Sequence, residues 1–390
     1  MRIADRGSSW LFPLVPLALR DPHPVMTESS PNNRRLICWG RADHGYSRNG
    51  VVRKVMQGQG WEIVDHAPGV LDALGLGSSG RLPDDAELVW VPCFRQRDMI
   101  TASRIASKRG LPLIFDPLIS AYDKQVFERK KFPADSPKGR KLLVWEQRMF
   151  SLADLVVADT RAHADYYRDV LKVKEDQLAV IPVGADETMF RHTAMQPIGG
   201  RRPRVVFFGS FIHLQGPEVI AEAAALCPEA DWLLLGEGPM RKEAEQAVKG
   251  CGHVRFEDYP GYSLIPDHVT QADIVMGVFS NSSKAGRVIP NKLWQAMAGG
   301  RPVITREVEA GAFPWPDDPT GEQSGVITVP PRNPQALVDA VRSLIGKPET
   351  LQQLGSASRI TFEQYGSFDC INRAFRDALD LVGVQPPNTD

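Results

Sequence analysis

Residues 273–306 read DIVMGVFSNSSKAGRVIPNKLWQAMAGGRPVITR and concentrate polar chemistry around the start of one expected helix. Pro290 stands at its entry, Asn291 begins it, and Gly299-Gly300 ends it. Three cations, Lys284, Arg287 and Lys292, lie close to that start. Asn291 and Gln295 are four apart and share a helix face. Leu293 and Met297 fall on other faces and read as core. A helix N-terminus offers unpaired N–H groups and the positive end of the dipole. Added to three cations and a polar face, it suits a diphosphate that carries a ribose or a sugar. The same residues also fit a surface loop with solvated cations, so the fold around them decides.

Two glycine loops precede this stretch. In VVFFGSFIHLQGPEVIAEAAAL, Val205 to Leu226, a strand runs into Gly209-Ser210 and Gly216-Pro217 opens a helix. Glycine permits close backbone approach, and proline at the first helical turn loses no hydrogen bond. In LLLGEGPMRKEAEQ, Gly236 and Gly238 bracket Glu237, whose carboxylate could accept bonds from ribose or sugar hydroxyls. Both loops equally fit an ordinary strand-to-helix turn.

The N-terminal half offers a second set. WGRADHGYSRNG, Trp39 to Gly50, brings Tyr46, Arg48 and Asn49 beyond a strand, although Asn49-Gly50 also reads as a turn. Arg48 is suited to a phosphate contact. Asp116 ends another strand and Asp123 follows closely. A carboxylate at a strand end could orient an acceptor hydroxyl or take its proton, or Asp116 could cap the next turn. Residues 126–150 hold Arg129, Lys130, Lys131, Lys138, Arg140, Lys141 and Arg148 against Glu128, Asp135 and Glu146. That local excess of cations suits an anionic lipid or a lipid-phosphate acceptor, and it also fits a solvated helix face.

Something must position these groups, and the chain alternates strands with helices. Apolar strand candidates are Leu36–Trp39, Glu62–Asp65, Leu88–Pro92, Leu113–Asp116, Leu155–Ala158 and Ala179–Pro182 in the first half. Val205–Gly209, Trp232–Leu235, His253–Phe256, Asp273–Val278, Pro302–Thr305 and Val326–Val329 form a second series. Short apolar runs of this kind fit parallel sheets covered on both faces. TAMQPIGGRRPR, Thr193 to Arg204, separates the series as a linker. Two doubly wound α/β domains follow, with ligands expected beyond the carboxyl ends of the strands, in the cleft between them. Arg161–Leu171 reads as a helix capped by Thr160, and a last helix from about Asp369 to Leu381 could dock on either domain.

The 390 residues carry a formal net charge of −1, which provides no global field for nucleic acid. The five cysteines, Cys38, Cys93, Cys227, Cys251 and Cys370, are scattered without a CxxC pair. They suggest neither a zinc site nor a disulfide framework, and a reducing compartment is the simplest expectation. Trp10 to Leu19 is apolar, but Pro13 and Pro16 interrupt it and no A-x-A site follows. It reads as part of an unstructured extension over residues 1–34 rather than as an export signal.

IPNKLWQAMAGGRPVIT resembles the donor-binding helix of GT-B glycosyltransferases, in particular the retaining family-four group. Phe207–Gly216, Leu233–Arg241 and ADLVVADTRAHADYYRDV…VIPVGADETMF, Ala153 to Phe190, resemble other segments of that family. The resemblance implies a GT-B fold: two Rossmann-like domains facing a cleft. The acceptor-side domain would span 35–193 plus 366–390, the linker 194–204 and the donor domain 205–365, with the last helix crossing back to the first domain. It implies a nucleotide-diphosphate sugar as co-substrate, no cofactor and no essential metal. Sugar would pass with retention to a sugar, glycan or glycolipid acceptor, in the cytoplasm or at the inner membrane face. Where many members carry two glutamates eight apart, this chain has Arg287 and Gln295. Ser210 and Gln215 replace a usual arginine and lysine, and the segment around Asp116 replaces a usual histidine. A non-catalytic nucleotide-sugar-binding scaffold and a GT-B nucleotide-sugar epimerase are the alternatives.

Overall fold

The computed structural model describes residues 34–69, 72 and 82–387. The expected extension and the tip of the tail lie outside the described residues.

The first series of strands is β1 (Arg35–Trp39), β2 (Glu62–His66), β3 (Ala86–Val91), β4 (Leu113–Phe115), β5 (Leu155–Ala158) and β6 (Leu178–Val180). They form one parallel sheet in the order β2-β1-β3-β4-β5-β6. The helices of this half are α1 (Ser47–Gly58), α2 (Met99–Arg109), α3 (Pro137–Phe150) and α4 (Arg161–Asp169). The second series is β7 (Arg204–Phe208), β8 (Asp231–Leu235), β9 (Val254–Glu257), β10 (Ile274–Met276), β11 (Val303–Arg306) and β12 (Val326–Val329). Its parallel sheet runs β12-β11-β10-β7-β8-β9. Its helices are α5 (Pro217–Leu226), α6 (Arg241–Ala247), α7 (Ile265–Gln271), α8 (Ser283–Arg287), α9 (Asn291–Ala298), α10 (Pro334–Leu344) and α11 (Pro348–Tyr365), followed by α12 (Phe368–Asp380).

The central strands are apolar on both faces because both faces are covered, whereas the edge strands β2 and β9 carry charged residues and stay partly exposed. Along β1, Ile37 and Trp39 join one buried cluster while Leu36 and Cys38 join the opposite one. Along β7, Val205 and Phe207 face one way and Val206 and Phe208 the other. α12 has Ile371, Phe375, Ala378 and Leu379 in the core under α1, so it packs on the first sheet. Leu381 lies beyond its end and is exposed.

The strand order reverses between β1 and β3 in one sheet and between β7 and β10 in the other. At such switch points the loops diverge and leave a crevice at the carboxyl ends of the strands. In this chain the two crevices meet. Cys93, Leu118, Val183, Ala185 and Phe190 of the first half share a buried cluster with Ile289, Leu293 and Trp294 of the second. The two halves therefore touch through an apolar base, above which the polar groups gather.

Candidate functional site

α9 begins as the sequence predicts, with Pro290 at the N-cap and Gly299 at the C-cap. Leu293 and Met297 are buried in the core of the second half. Lys292 folds back over the end of β7, its ammonium 3.8 Å from the centre of the Phe207 ring and 5.9 Å from that of Phe208. It is buried, and its Nζ has no hydrogen-bond partner. Burial alone drives the Lys292 pKa well below the usual lysine value. The face shared by Asn291 and Gln295 turns toward tyrosines. The Asn291 side chain lies near the Tyr46 hydroxyl of the first half, and Gln295 Nε2 donates to the Tyr262 hydroxyl at 3.1 Å.

Lys284 and Arg287, expected as free cations, are both occupied. Ser282 caps α8 by accepting from the Ala285 N–H. Lys284 Nζ then lies 2.6 Å from Glu128, with side-chain exposures of 7% and 6%. Arg287 Nη2 lies 2.7 Å from Asp123. Its guanidinium stacks over Tyr166 at 4.5 Å, and its carbonyl accepts a 2.5 Å bond from Thr160. Every one of these partners belongs to the first half of the chain. Asp123 and Glu128 bound a π-helical turn, Asp123–Glu128, a geometry that is rare and concentrates at functional sites. Glu146 on α3 anchors its start, accepting from Ser120 Oγ at 2.6 Å, Ala121 N at 2.5 Å and Tyr122 N at 2.8 Å. Burial raises the Glu146 pKa and those three bonds oppose the rise.

Arg48 and Asn49 lie in the first turn of α1, not in a loop, so Asn49-Gly50 makes no turn here. Tertiary partners outweigh local turn preference. Arg48 Nε donates to Asp116 at 2.9 Å and Nη1 donates to the Pro182 carbonyl. Asn49 Nδ2 donates to the Asp43 carbonyl and its Oδ1 accepts from Cys93 N–H, tying together the loops after β1 and β3. Asp116 is thus neither a turn cap nor a free carboxylate. Burial raises its pKa and Arg48 pulls it back.

The glycines allow the two loops to approach each other closely. A Cβ on Gly236 would lie 1.8 Å from the Gly209 carbonyl, and one on Gly238 would lie 1.8 Å from the Ser210 carbonyl. The loops after β7 and β8 press backbone against backbone. Gly236 takes φ +130°, which side-chain-bearing residues rarely adopt. Ser210 and Glu237 are exposed beside this contact.

The sequence reading missed a buried dyad. His163 Nδ1 is 2.6 Å from Asp159, which directly follows β5. His163 follows Thr160, the N-cap of α4, by three residues and precedes Tyr166 by three, and both of these also touch Arg287. The i,i+4 spacing of Asp159 and His163 was its only sequence signal. Among the buried side-chain atoms without a hydrogen-bond partner are Arg48 Nη2, Asp123 Oδ1, His163 Nε2, Arg287 Nε and Lys292 Nζ. Buried polar groups in folded proteins are nearly always paired, so each of these atoms is an exception that calls for a partner. No cluster of His, Cys, Asp and Glu able to hold a metal is found among the described residues.

Residues 35–184 match the glycosyl transferase 4-like domain, and residues 202–347 match the family described as glycosyl transferases group 1. The chain belongs to the group 1 glycosyltransferases. Its two facing parallel sheets are the GT-B fold of this family. It is 26% identical over 233 residues to the O-antigen chain mannosyltransferase C of Escherichia coli, covering 57% of this chain and 60% of that one. It is 24% identical over 294 residues to the D-inositol 3-phosphate glycosyltransferase of Kineococcus radiotolerans, covering 65% and 64%. The chain therefore spans less than two thirds of the length of each of these relatives. Among solved structures it superposes on Anabaena HepE in complex with UDP with a TM-score of 0.65, at 15% identity over 89% of this chain and 99% of that one. Sucrose-phosphate synthase of Thermosynechococcus elongatus gives 0.66, at 18% identity over 90% and 99%.

Proposed function

We propose that this GT-B chain transfers a sugar from a nucleotide-diphosphate sugar to an acceptor hydroxyl, with the diphosphate over the N-terminus of α9. Lys292 carries the reading. A buried ammonium without a hydrogen-bond partner is costly to keep, and a diphosphate is the group that would repair it. Arg48 Nη2 and Arg287 Nε are further buried donors without a partner. Protein cations thus take the charge that develops on the leaving group, with no metal assigned to the step.

The acceptor oxygen forms a bond to the anomeric carbon while that carbon's bond to the diphosphate oxygen breaks, its electron pair leaving with the diphosphate. Retention, which the family resemblance implies, brings the acceptor to the face the diphosphate leaves. The proton of the hydroxyl then passes to the departing phosphate oxygen. Asp123 Oδ1, a buried carboxylate oxygen without a partner, orients the hydroxyl. Asp116 acts one step back by holding Arg48.

An envelope glycan or glycolipid acceptor fits the surface of residues 126–150. All seven of its basic side chains are exposed, while Glu128 and Glu146 turn inward and only Asp135 remains outside to offset them. Phe127 and Val144 are exposed among these cations. Such a surface suits anionic headgroups at the inner face of a membrane. Among the described residues, no helix is long and apolar enough to cross one.

Thermal melts with a panel of nucleoside diphosphates and their sugar conjugates test the donor site. A ligand at one hundred times its Kd stabilises by about 2.7 kcal/mol. A shift selective for one base, absent in Lys292→Met, supports the reading and names the donor for acceptor screening. No shift with any nucleotide refutes it.

A further inference from the structure

Two of the three cations at the start of α9 are neutralised by carboxylates that reach across from the other half of the chain. Glu128 holds Lys284 and Asp123 holds Arg287, in pairs almost wholly removed from water. We propose that Glu128 stands in for the donor diphosphate on Lys284 in the ligand-free protein, and that donor entry is an exchange of anions in which the far end of the π-helical turn gives way. This inference rests on the donor site proposed above and concerns its regulation.

Charge requires the exchange. A diphosphate that reaches Lys284 or Arg287 arrives beside the carboxylates already bound there. At such separations like charges repel strongly, the more so away from solvent. A diphosphate brings the Lys284 ammonium more negative charge and more acceptor oxygens than one carboxylate does, so exchange is favourable once Glu128 withdraws. Meanwhile the pairs shield two cations that would otherwise be buried and uncompensated.

The turn is built to give way at one end. Its beginning is fixed by the three bonds from Glu146, and Asp123 N–H is held by Ser120 Oγ at 3.0 Å. Asp123 is the residue next to that anchor. Glu128 lies five residues further along, where backbone bonds hold the turn, Arg129 N–H to the Lys124 carbonyl at 3.0 Å and Lys131 N–H to the Gln125 carbonyl at 2.9 Å, just before Lys130 at φ +47° and an exposed stretch without regular structure. Glu128 is therefore the carboxylate that swings out, and Asp123 stays to meet the acceptor. The same swing carries the basic residues 129–131, so donor loading is read out on the surface proposed to meet headgroups.

The test compares wild type with Glu128→Gln by calorimetry, using inorganic pyrophosphate and the nucleoside diphosphate panel. Glu309→Gln is the control, because Glu309 also faces Arg287, at 4.0 Å, but from the second half and half-exposed. Glu128→Gln is expected to bind pyrophosphate and the preferred nucleotide about tenfold more tightly, with Glu309→Gln near wild type. Unchanged or weaker binding in Glu128→Gln, or equal tightening in both variants, overturns the exchange. Hydrogen exchange on the wild type guards against a folding defect in the variant: nucleotide should speed exchange of amides 124–131 while 120–122 stay protected. Slower or unchanged exchange at 124–131 also overturns it. Nucleotide binding without these effects refutes the exchange alone, whereas absence of any binding refutes the donor site as well.

Discussion

Replacing Lys292 with methionine should make the ligand-free protein more stable and the nucleotide-loaded protein less stable. The ammonium is buried without a hydrogen-bond partner, and its pKa is driven down by burial. Attraction to the Phe207 ring returns up to about 2 kcal/mol, less than the several kcal/mol that burying an ion costs. Methionine keeps the stem and removes the polar head, so the variant should gain about 1–3 kcal/mol without ligand. The gain depends on pH in a defined sense. Unfolded Lys292 binds a proton that the folded form resists, so raising the pH favours folded wild type. The variant's advantage is therefore full below the lowered folded pKa and fades as pH approaches about 10.4, the unfolded value. With nucleotide the order inverts. Loss of one charge-assisted contact costs about 1.5–3 kcal/mol, roughly one hundredfold in Kd at the upper range. At a concentration that stabilises wild type by about 2.7 kcal/mol, the variant would gain only about 0.4 kcal/mol. Melting curves of both proteins, with and without nucleotide, at neutral pH and near pH 10, report all of this. A variant that is less stable without ligand, or that keeps the full nucleotide shift, would refute the argument that Lys292 is strained toward an absent anion.

Asp116→Asn leaves Arg48 buried with its charge unmatched and should cost about 3–5 kcal/mol in denaturant unfolding, far more than a surface change. Glu146→Ala removes three bonds to the Ser120–Tyr122 turn and should lower stability by about 2 kcal/mol or more, with faster amide exchange at 120–123. Gly236→Ala sets a methyl group against the Gly209 carbonyl at a φ that alanine resists, so about 3 kcal/mol of stability and most nucleotide binding should be lost in the same melts. Lys130→Glu with Lys141→Glu should weaken sedimentation with phosphatidylserine vesicles by about 1 kcal/mol per cation removed, more at low salt, while neutral vesicles bind neither protein.

What the sequence made legible is what short-range pattern controls. Leu155–Ala158 and Val326–Val329 appear as strands at the residues expected, since a short run bounded by aspartates in the first case and by Gly325 and Pro330 in the second leaves little freedom. Thr160 caps α4 and Pro290 caps α9 for equally local reasons. The glycine loops were located but the partner of their close approach was not, because the contact of Gly236 with Gly209 joins residues on neighbouring strands. The pairing of cations was least legible. Lys284 and Glu128 are 156 positions apart, and Arg287 and Asp123 are 164 apart. No periodicity in either half announces them. Counted as composition, Glu128 merely dilutes a basic stretch. In the fold it leaves that surface to meet Lys284, so one side chain makes the outer face more basic and the cleft less so. If the loop of Lys284 and Arg287 meets the donor as proposed, the two cations are not simple substitutes for the arginine and lysine that Ser210 and Gln215 replace. They came with carboxylates from the other half of the chain, and those carboxylates make the charge of the donor site depend on whether the two halves are together.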